Sequence, residues 1–88
     1  MSAFVYMVEC ADGSYYTGWT NDVEARVAAH NKGEGARYTR ARLPVRVIHV
    51  EEMADKQEAQ SREYRIKKLS RLQKERLVAG LDPLLLPV

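Results

Sequence analysis

The first twenty residues contain Phe4-Val5-Tyr6-Met7-Val8, then Asp12-Gly13, and then Ser14-Tyr15-Tyr16-Thr17-Gly18-Trp19-Thr20. The first and last of these runs are rich in β-branched and aromatic residues, which favour strands. Asp-Gly between two such runs is a strong signal for a two-residue hairpin turn. The sequence therefore predicts an antiparallel hairpin at the start of the chain, which excludes a doubly wound parallel sheet.

A short amphipathic helix is predicted directly after the hairpin. Val23, Val27 and Asn31 recur at every fourth position, which is the spacing of one face of a helix. Gly33 is a typical stop for this helix. Residues 33–44 show no clean periodicity, and we expect a loop there. The start of the helix offers three capping residues, namely Thr20, Asn21 and Asp22.

A third strand and two further helices complete the predicted elements. Residues 45–50 are typical of a strand. Asp55 is a good cap for a helix over residues 56–69, and Ser70 is a good cap for a last helix over residues 71–79. The order is ββαβαα, which predicts an α/β fold of the α+β type. Its small, three-stranded, mainly antiparallel sheet would be flanked by three helices.

Length and composition limit the chain to one small domain. A chain of 88 residues buries only about 60% of its unfolded surface. We expect one domain over residues 1–80, followed by an apolar tail over residues 81–88 that is too short to span a membrane. Cys10 is the only cysteine, which excludes an internal disulfide and fits a reducing compartment. With no basic residue before its first apolar run, the chain is expected to be cytoplasmic, with no membrane partner.

Positive charge is concentrated in two segments of the chain. Residues 32–46 contain five basic residues against Glu34, and residues 62–76 contain seven against Glu63 and Glu75. Two such segments on a short chain are typical of a surface that binds a polyanion. Charge alone does not distinguish this hypothesis from a pair of solvated surfaces.

Glu63 is a carboxylate at a position where an apolar residue is expected. It lies four residues after Ala59 and three before Ile66, and therefore on the face of the helix that these residues turn to the core. Burial of a carboxylate is costly unless it is paired or bound to a cation. The pattern alone favours a salt bridge, to Arg26 or to a helix neighbour, over a metal site.

Two further pairs of polar residues are candidates for a site. Arg26 and His30 are four residues apart, so they share one helix face and could reach a common anion. The alternative is a pair that faces solvent. Tyr6 and Tyr16 flank the predicted turn and would be near neighbours on adjacent strands if the register allows it. Each tyrosine alone is more typical of a core.

Several common kinds of site are absent from the sequence. There is no glycine-rich phosphate loop and no serine or cysteine in a nucleophile elbow. His30 and His49 are the only histidines, and they are too far apart in the chain to indicate a zinc site.

These candidates occur together in one known arrangement. Phe4-Val5-Tyr6 and Tyr16-Thr17-Gly18 resemble the two signature strands of the GIY-YIG nuclease superfamily, with Phe4 in place of a glycine and Thr17 in place of an isoleucine. Arg26 follows Gly18 by eight residues, as in that family. The resemblance covers about residues 3–79. It is greatest to the short, single-domain bacterial branch of uncharacterised GIY-YIG proteins, which shares a loop like Gly35–Arg40.

The resemblance implies a metal-dependent endonuclease that hydrolyses phosphodiester bonds in nucleic acid, DNA rather than RNA. Glu63, in the run from Arg62 to Lys67, is similar to the family's metal-binding glutamate and would hold a single Mg²⁺ or Mn²⁺. Arg26 would stabilise charge in the transition state. Tyr6 would activate the attacking water, with Tyr16 and His30 positioning it or relaying its proton.

The resemblance also suggests which residues would bind the nucleic acid. Basic side chains of the first basic segment would follow the backbone, and one tyrosine would stack on a base. These residues are Lys32, Arg37, Tyr38, Arg40 and Arg42. Two alternatives remain open from the sequence: a module that binds nucleic acid without cutting it, and a protein-interaction domain.

Overall fold

A computed structural model describes residues 2–83, and these form three strands and four helices. The predicted ββαβαα order and the antiparallel sheet are confirmed, with one short helix in addition. Residues 84–88 of the expected apolar tail lie outside the described residues. The elements are β1 (Ala3–Glu9), β2 (Tyr15–Thr20), α1 (Val23–Asn31), α2 (Arg37–Arg40), β3 (Arg46–Met53), α3 (Lys56–Lys67) and α4 (Arg71–Val78).

The sheet has β1 at its centre, in the order β2-β1-β3, and both pairings are antiparallel. Both faces of β1 are covered, which explains its nearly continuous apolar run. Ala3, Val5 and Met7 pack against α3 and α4 on one face. Tyr6 and Val8 pack against α1 on the other face. Residues 2–83 therefore form two small cores separated by the sheet.

The hairpin turn is longer than predicted. The expected two-residue turn at Asp12-Gly13 is wrong, since residues 10–14 connect the strands. The Asp12 carboxylate accepts hydrogen bonds from the backbone N–H of Ser14 at 3.0 Å and from its hydroxyl at 2.6 Å. A local side-chain bond of this kind stabilises a wider turn, and Gly13 provides the positive φ of 84° that the turn requires.

The register that results places both signature tyrosines on one face of the sheet. Tyr6 is opposite Gly18, and Tyr16 is opposite Val8. Because facing residues and their diagonal neighbours share a face, Tyr6 and Tyr16 lie diagonally across the hairpin. Their ring centroids are 6.5 Å apart.

The segment predicted as a loop over residues 33–44 contains the four-residue helix α2. No side chain caps its N-terminus, so the sequence carries no local signal for it. The segment is instead held by contacts with distant residues. Asn31 fixes its far end, because its amide accepts the Val45 N–H at 2.8 Å and donates to the Val45 carbonyl at 3.1 Å.

The other helices begin at residues that the sequence predicts. Of the three candidate caps for α1, Asp22 is the N-cap, and its side chain accepts the backbone N–H of Ala25 at 3.1 Å. Asp55 caps α3, and Ser70 caps α4 within a capping box. Such caps satisfy N–H groups that have no partner inside the helix.

An ionic cluster joins β3 to α3. Glu51 accepts hydrogen bonds from Arg62, at 2.7 Å from Nε and 3.0 Å from Nη2, and its carboxylate lies 2.7 Å from His49 Nε2. Burial alone would raise the pKa of Glu51, but the hydrogen bonds from Arg62 and His49 outweigh it, and the pKa lies below its ordinary value. The cluster therefore stabilises the fold while Glu51 is ionised.

We predict that Glu51→Gln lowers the free energy of unfolding at pH 7 by about 1–3 kcal/mol, because Arg62 loses a charged partner. A pKa that is depressed in the folded state adds stability above the unfolded value of about 4.3, and this stability disappears as the pH falls through the folded value. The difference between wild type and variant should thus shrink below about pH 4. Urea unfolding at several pH values measures it, with Glu52→Gln on the exposed neighbouring residue as control. Equal pH dependence for both variants would contradict the prediction.

Candidate active site

Tyr6 and His30 are hydrogen-bonded to each other in the interior of the domain. Tyr6 Oη lies 2.7 Å from His30 Nε2, and the two residues are 1% and 0% exposed. The other ring nitrogen, His30 Nδ1, lies 2.8 Å from Thr39 Oγ1. The Thr39 hydroxyl lies 2.9 Å from the Ala36 carbonyl, to which it can donate. A continuous chain of hydrogen bonds thus runs from β1 through α1 to α2.

Two glycines leave room for this chain. A Cβ atom at Gly18 would lie 2.7 Å from Tyr6 Oη, and one at Gly35 would overlap His30 Nδ1. Distances this short do not occur between Cβ and neighbouring heavy atoms. Close approach of side chains, rather than an unusual backbone angle, therefore requires glycine at both positions.

Tyr16 and Tyr38 extend the pair into an aromatic cluster, which we define as Tyr6, Tyr16, His30 and Tyr38. The Tyr16 ring contacts His30 edge-on at a centroid distance of 5.3 Å and stacks on Tyr38 at 6.2 Å. Tyr16 is half-buried and Tyr38 is exposed. The cluster therefore leads from a buried hydrogen bond to the surface.

Arg26 is half-buried one turn before His30 on α1 and acts on the pKa of both members of the buried pair. Burial raises the pKa of Tyr6, and a hydrogen bond with Arg26 opposes this shift. Burial lowers the pKa of His30, and the positive charge of Arg26 adds to the effect. The pair is thus a neutral phenol and a neutral imidazole at neutral pH. The sequence-based alternative of a solvent-facing pair is wrong for His30.

Glu63 lies on α3 near the same cluster. Its negative charge contributes to the raised pKa of Tyr6. Its carboxylate is 3.0 Å from Lys67 Nζ, and this ammonium group lies 5.9 Å from the centroid of the Tyr16 ring. Of the two salt-bridge partners that the sequence leaves open, the helix neighbour is the one observed. Lys67 is 51% exposed, so the pair is a weak interaction at the surface.

The predicted nucleic-acid-binding residues fall into two groups. Lys32, Arg37 and Arg40 are exposed at the end of α1 and along α2. Arg42 instead donates to Asp12 Oδ2 at 3.1 Å and to the Tyr38 carbonyl at 2.8 Å. Its guanidinium also lies 3.9 Å from the centroid of the Tyr38 ring. Arg42 therefore supports the aromatic cluster, and the Tyr38 ring already has two stacking neighbours.

The side chains near Glu63 fit a metal ion only in part. Within residues 2–83, no group of three or more His, Cys, Asp and Glu side chains could hold one. A single carboxylate suits a hard cation such as Mg²⁺, which keeps several waters and takes its other ligands from substrate phosphates. A cation at Glu63 would compete with Lys67 for the carboxylate.

Thr39 and Lys67 are site residues that sequence reasoning missed. Thr39 is fully buried in a segment that was expected to be a loop. The one available signal was its place in Gly-Ala-Arg-Tyr-Thr-Arg, which resembles a family loop. Lys67 lies four residues after Glu63, a spacing that brings two side chains together on a helix.

Comparison with known proteins assigns the chain to a family. Residues 2–76 match the family described as the GIY-YIG catalytic domain. A UPF0213 protein of Halobacterium salinarum is 62% identical over 73 residues, which cover 83% of this chain and 95% of that protein. A UPF0213 protein of Clostridium perfringens is 55% identical over 77 residues, which cover 88% and 83%. The short branch thus includes archaeal as well as bacterial members.

Two solved structures have the same fold. The solution NMR structure of a UPF0213 protein from Bacillus halodurans is 48% identical, with a TM-score of 0.60. That of a protein from E. faecalis is 41% identical, with a TM-score of 0.62. Each alignment covers 91% of this chain and 85% of the other. In the part of the chain that the structure describes, no helix has the length and apolar character needed to cross a membrane.

We predict that Gly35→Ala destabilises the protein by about 1–3 kcal/mol, because the added methyl group overlaps His30. In a His30→Ala background the same change should cost much less, since the overlapping ring is gone. Chemical unfolding of the wild type, both single variants and the double variant completes this cycle. Equal costs of Gly35→Ala in both backgrounds would show that the glycine is required for another reason.

Proposed function

The chain belongs to the GIY-YIG family, and we propose that it is a metal-dependent endonuclease that hydrolyses phosphodiester bonds in nucleic acid, DNA rather than RNA. The observation that carries the proposal is the buried hydrogen bond between Tyr6 and His30, with Arg26 and Glu63 close to it. Phosphodiester hydrolysis needs a group that takes a proton from water and groups that stabilise negative charge. This neighbourhood contains both kinds of group.

The Tyr6–His30 pair would accept the proton of the attacking water. A tyrosine whose pKa is raised by burial rarely exists as a phenolate, so by itself it is a poor base. Tyr6 can instead take a proton from water while it passes its own hydroxyl proton to His30 Nε2. His30 has a lowered pKa and is therefore neutral and free to accept it.

Tyr16 would position the water molecule. Tyr6 is 1% exposed, so water has to be admitted to its hydroxyl during the reaction. Tyr16 is half-buried and contacts both Tyr6 and His30. A half-buried hydroxyl next to the buried pair is suited to orienting a water molecule that enters from solvent.

Arg26 and Glu63 would stabilise charge. The Arg26 guanidinium is close enough to Tyr6 to change its pKa, and there it would offset the charge that grows on the phosphate oxygens in the transition state. Glu63 would hold a single Mg²⁺ or Mn²⁺, with water and phosphate oxygens as the other ligands. When bound, such an ion supplies positive charge to the scissile phosphate and the leaving oxygen.

Exposed basic side chains would hold the nucleic acid. Lys32, Arg37 and Arg40 are exposed at the end of α1 and along α2, next to the aromatic cluster. Lysine and arginine contacts to phosphates give binding that weakens with salt and that reads little sequence.

A second candidate function is binding of nucleic acid without cleavage. Two observations favour it: the nearly complete burial of Tyr6 and the ammonium of Lys67, which already neutralises Glu63. The experiments below distinguish this function from the nuclease.

We predict that Glu63→Gln abolishes metal-dependent cleavage of a panel of single-stranded, flapped and branched DNA and RNA substrates. The free energy of unfolding should change by only about 0.5 kcal/mol, because the lost partner is an exposed lysine one turn away. Cleavage assays with and without Mg²⁺, together with thermal unfolding, measure both effects.

Glu75→Gln is the matched control for this variant. Glu75 also pairs with a basic residue four positions away, Arg71, but on α4, and its loss should leave cleavage unchanged. A wild-type protein that binds the panel and cuts no member of it, with or without Mg²⁺ and Mn²⁺, would favour the second candidate function.

We also predict that Arg40→Gln weakens binding of DNA and reduces the slope of log K against log salt by roughly 0.7–0.9, the value for one lost phosphate contact. Lys68→Gln is the control, since Lys68 lies roughly 140° around α3 from Glu63. Fluorescence anisotropy at several salt concentrations measures the slope. Equal losses for both variants would argue against a defined track along α2.

A further inference from the structure

Thr39 has one hydroxyl proton and two close polar neighbours. Its Oγ1 lies 2.8 Å from His30 Nδ1 and 2.9 Å from the Ala36 carbonyl oxygen. Thr39 is fully buried, so water does not supply further protons to these contacts. The Ala36 N–H also points at His30 Nδ1, at the longer distance of 3.3 Å. The protonation state of Nδ1 therefore decides which of these contacts are hydrogen bonds.

With the proton on Nδ1, all three short contacts of the chain are hydrogen bonds. His30 Nδ1–H donates to Thr39, Thr39 donates to the Ala36 carbonyl, and Tyr6 donates to Nε2. Their lengths are 2.8, 2.9 and 2.7 Å. The 3.3 Å contact between the Ala36 N–H and His30 Nδ1 is the one that is then not a hydrogen bond, because both atoms carry a proton.

With the proton on Nε2, one short contact always fails. If Thr39 donates to the Ala36 carbonyl, its oxygen faces the lone pair of Nδ1 at 2.8 Å. If it donates to Nδ1, its oxygen faces the carbonyl oxygen at 2.9 Å. A buried contact between two acceptors at 2.8 or 2.9 Å costs more than the loss of the longer 3.3 Å bond from the Ala36 N–H, so the network places the proton on Nδ1.

We propose that Thr39 is a positioning residue that holds His30 with its proton on Nδ1, so that the unprotonated Nε2 faces the hydroxyl of Tyr6. In this arrangement His30 can accept the Tyr6 proton; with the proton on Nε2 it could only donate to Tyr6. Thr39 thus sets the direction of proton transfer without touching the substrate. The role rests on the nuclease function proposed above, but the hydrogen-bond assignment does not.

The other charged and titratable groups that face His30 do not fix its tautomer. Tyr6 on β1 bonds to Nε2 and accommodates either tautomer, because a hydroxyl both donates and accepts. Tyr16 on β2 contacts the ring edge-on. Arg26 on α1 acts on the charge of the whole ring. The tautomer of His30, and with it the direction of proton transfer, is therefore set at Nδ1. The Thr39 hydroxyl sets it, and the Ala36 carbonyl orients that hydroxyl.

The test is the ¹⁵N spectrum of the histidine side chains in the full chain, since long-range ¹H–¹⁵N correlations distinguish the two neutral tautomers. We expect Nδ1–H for His30 in the wild type and in Thr39→Ser, which keeps the hydroxyl. In Thr39→Val the acceptor is lost and the Ala36 N–H remains as a donor to Nδ1. The tautomer ratio should then shift toward Nε2–H by about tenfold, as expected for loss of one hydrogen bond.

Thr17→Val is the matched control. Thr17 is also a buried threonine, but it is paired with Met7 and therefore lies on the other face of the sheet. The change should leave the His30 spectrum as in the wild type. An Nε2–H tautomer in the wild type would overturn the proposal even if Thr39→Val does not fold, and so would an unchanged tautomer in a folded Thr39→Val.

Kinetics separate this inference from the proposed function. If the wild type cleaves a substrate, Thr39→Val should lower kcat by about 10²-fold with KM nearly unchanged, and Thr39→Ser should restore most of the rate. A folded Thr39→Val with the shifted tautomer and an unchanged kcat would overturn the positioning role. If no substrate is cleaved, the nuclease proposal fails, whereas the spectra still decide whether Thr39 sets the tautomer.

Discussion

The buried hydrogen bond between Tyr6 and His30, continued by His30 to Thr39, holds β1, α1 and α2 together. It joins residues 24 positions apart and thereby fixes α1 against the central strand. A buried imidazole without partners would cost about 1–3 kcal/mol, so both ring nitrogens must find polar neighbours. The tyrosine satisfies one nitrogen, and the second draws Thr39, and with it α2, into the domain. A segment without its own capping signals is thus ordered by a side chain on another helix.

The Tyr6–His30 bond also leaves no room for a side chain at two neighbouring positions, Gly18 and Gly35. Tyr6 reaches across β2 over Gly18, and Gly35 lies against the imidazole ring. The second signature motif, Tyr16-Thr17-Gly18, ends in glycine because the Tyr6 side chain occupies the place of a Cβ atom there. Phe4 and Thr17, which depart from the family pattern, have no part in the hydrogen-bonded chain from Tyr6 through His30 to Thr39. Differences at these positions are therefore compatible with the same site.

Helix caps and residue spacing predicted most of the helices and strands. The side-chain partners in the candidate site depend on contacts between residues far apart in the chain, which these local patterns do not predict. Asp22, Asp55 and Ser70 cap helices by accepting the backbone N–H three residues later. Capping residues of this kind can be recognised from the sequence alone. The i, i+4 spacing brings Arg26 close enough to His30 for its charge to lower the His30 pKa. The partner of His30 depends on the hairpin register, and the Asp12 side chain widens the turn on which that register depends. Arg42 and Arg40 look alike in sequence; only the fold brings Arg42 to Asp12.

The position of Glu63 follows from its neighbours along α3. Ala59 and Ile66 bury one side of the helix in the core, and Arg62 ties it to β3 through Glu51. These contacts fix the rotation of α3 about its axis. They therefore orient the Glu63 carboxylate, which has no buried ionic partner of its own within residues 2–83. Its observed partner, Lys67, is exposed and weakly held. Exchange of this ammonium for another cation would therefore cost the fold little, as the proposed role of Glu63 as a metal ligand requires.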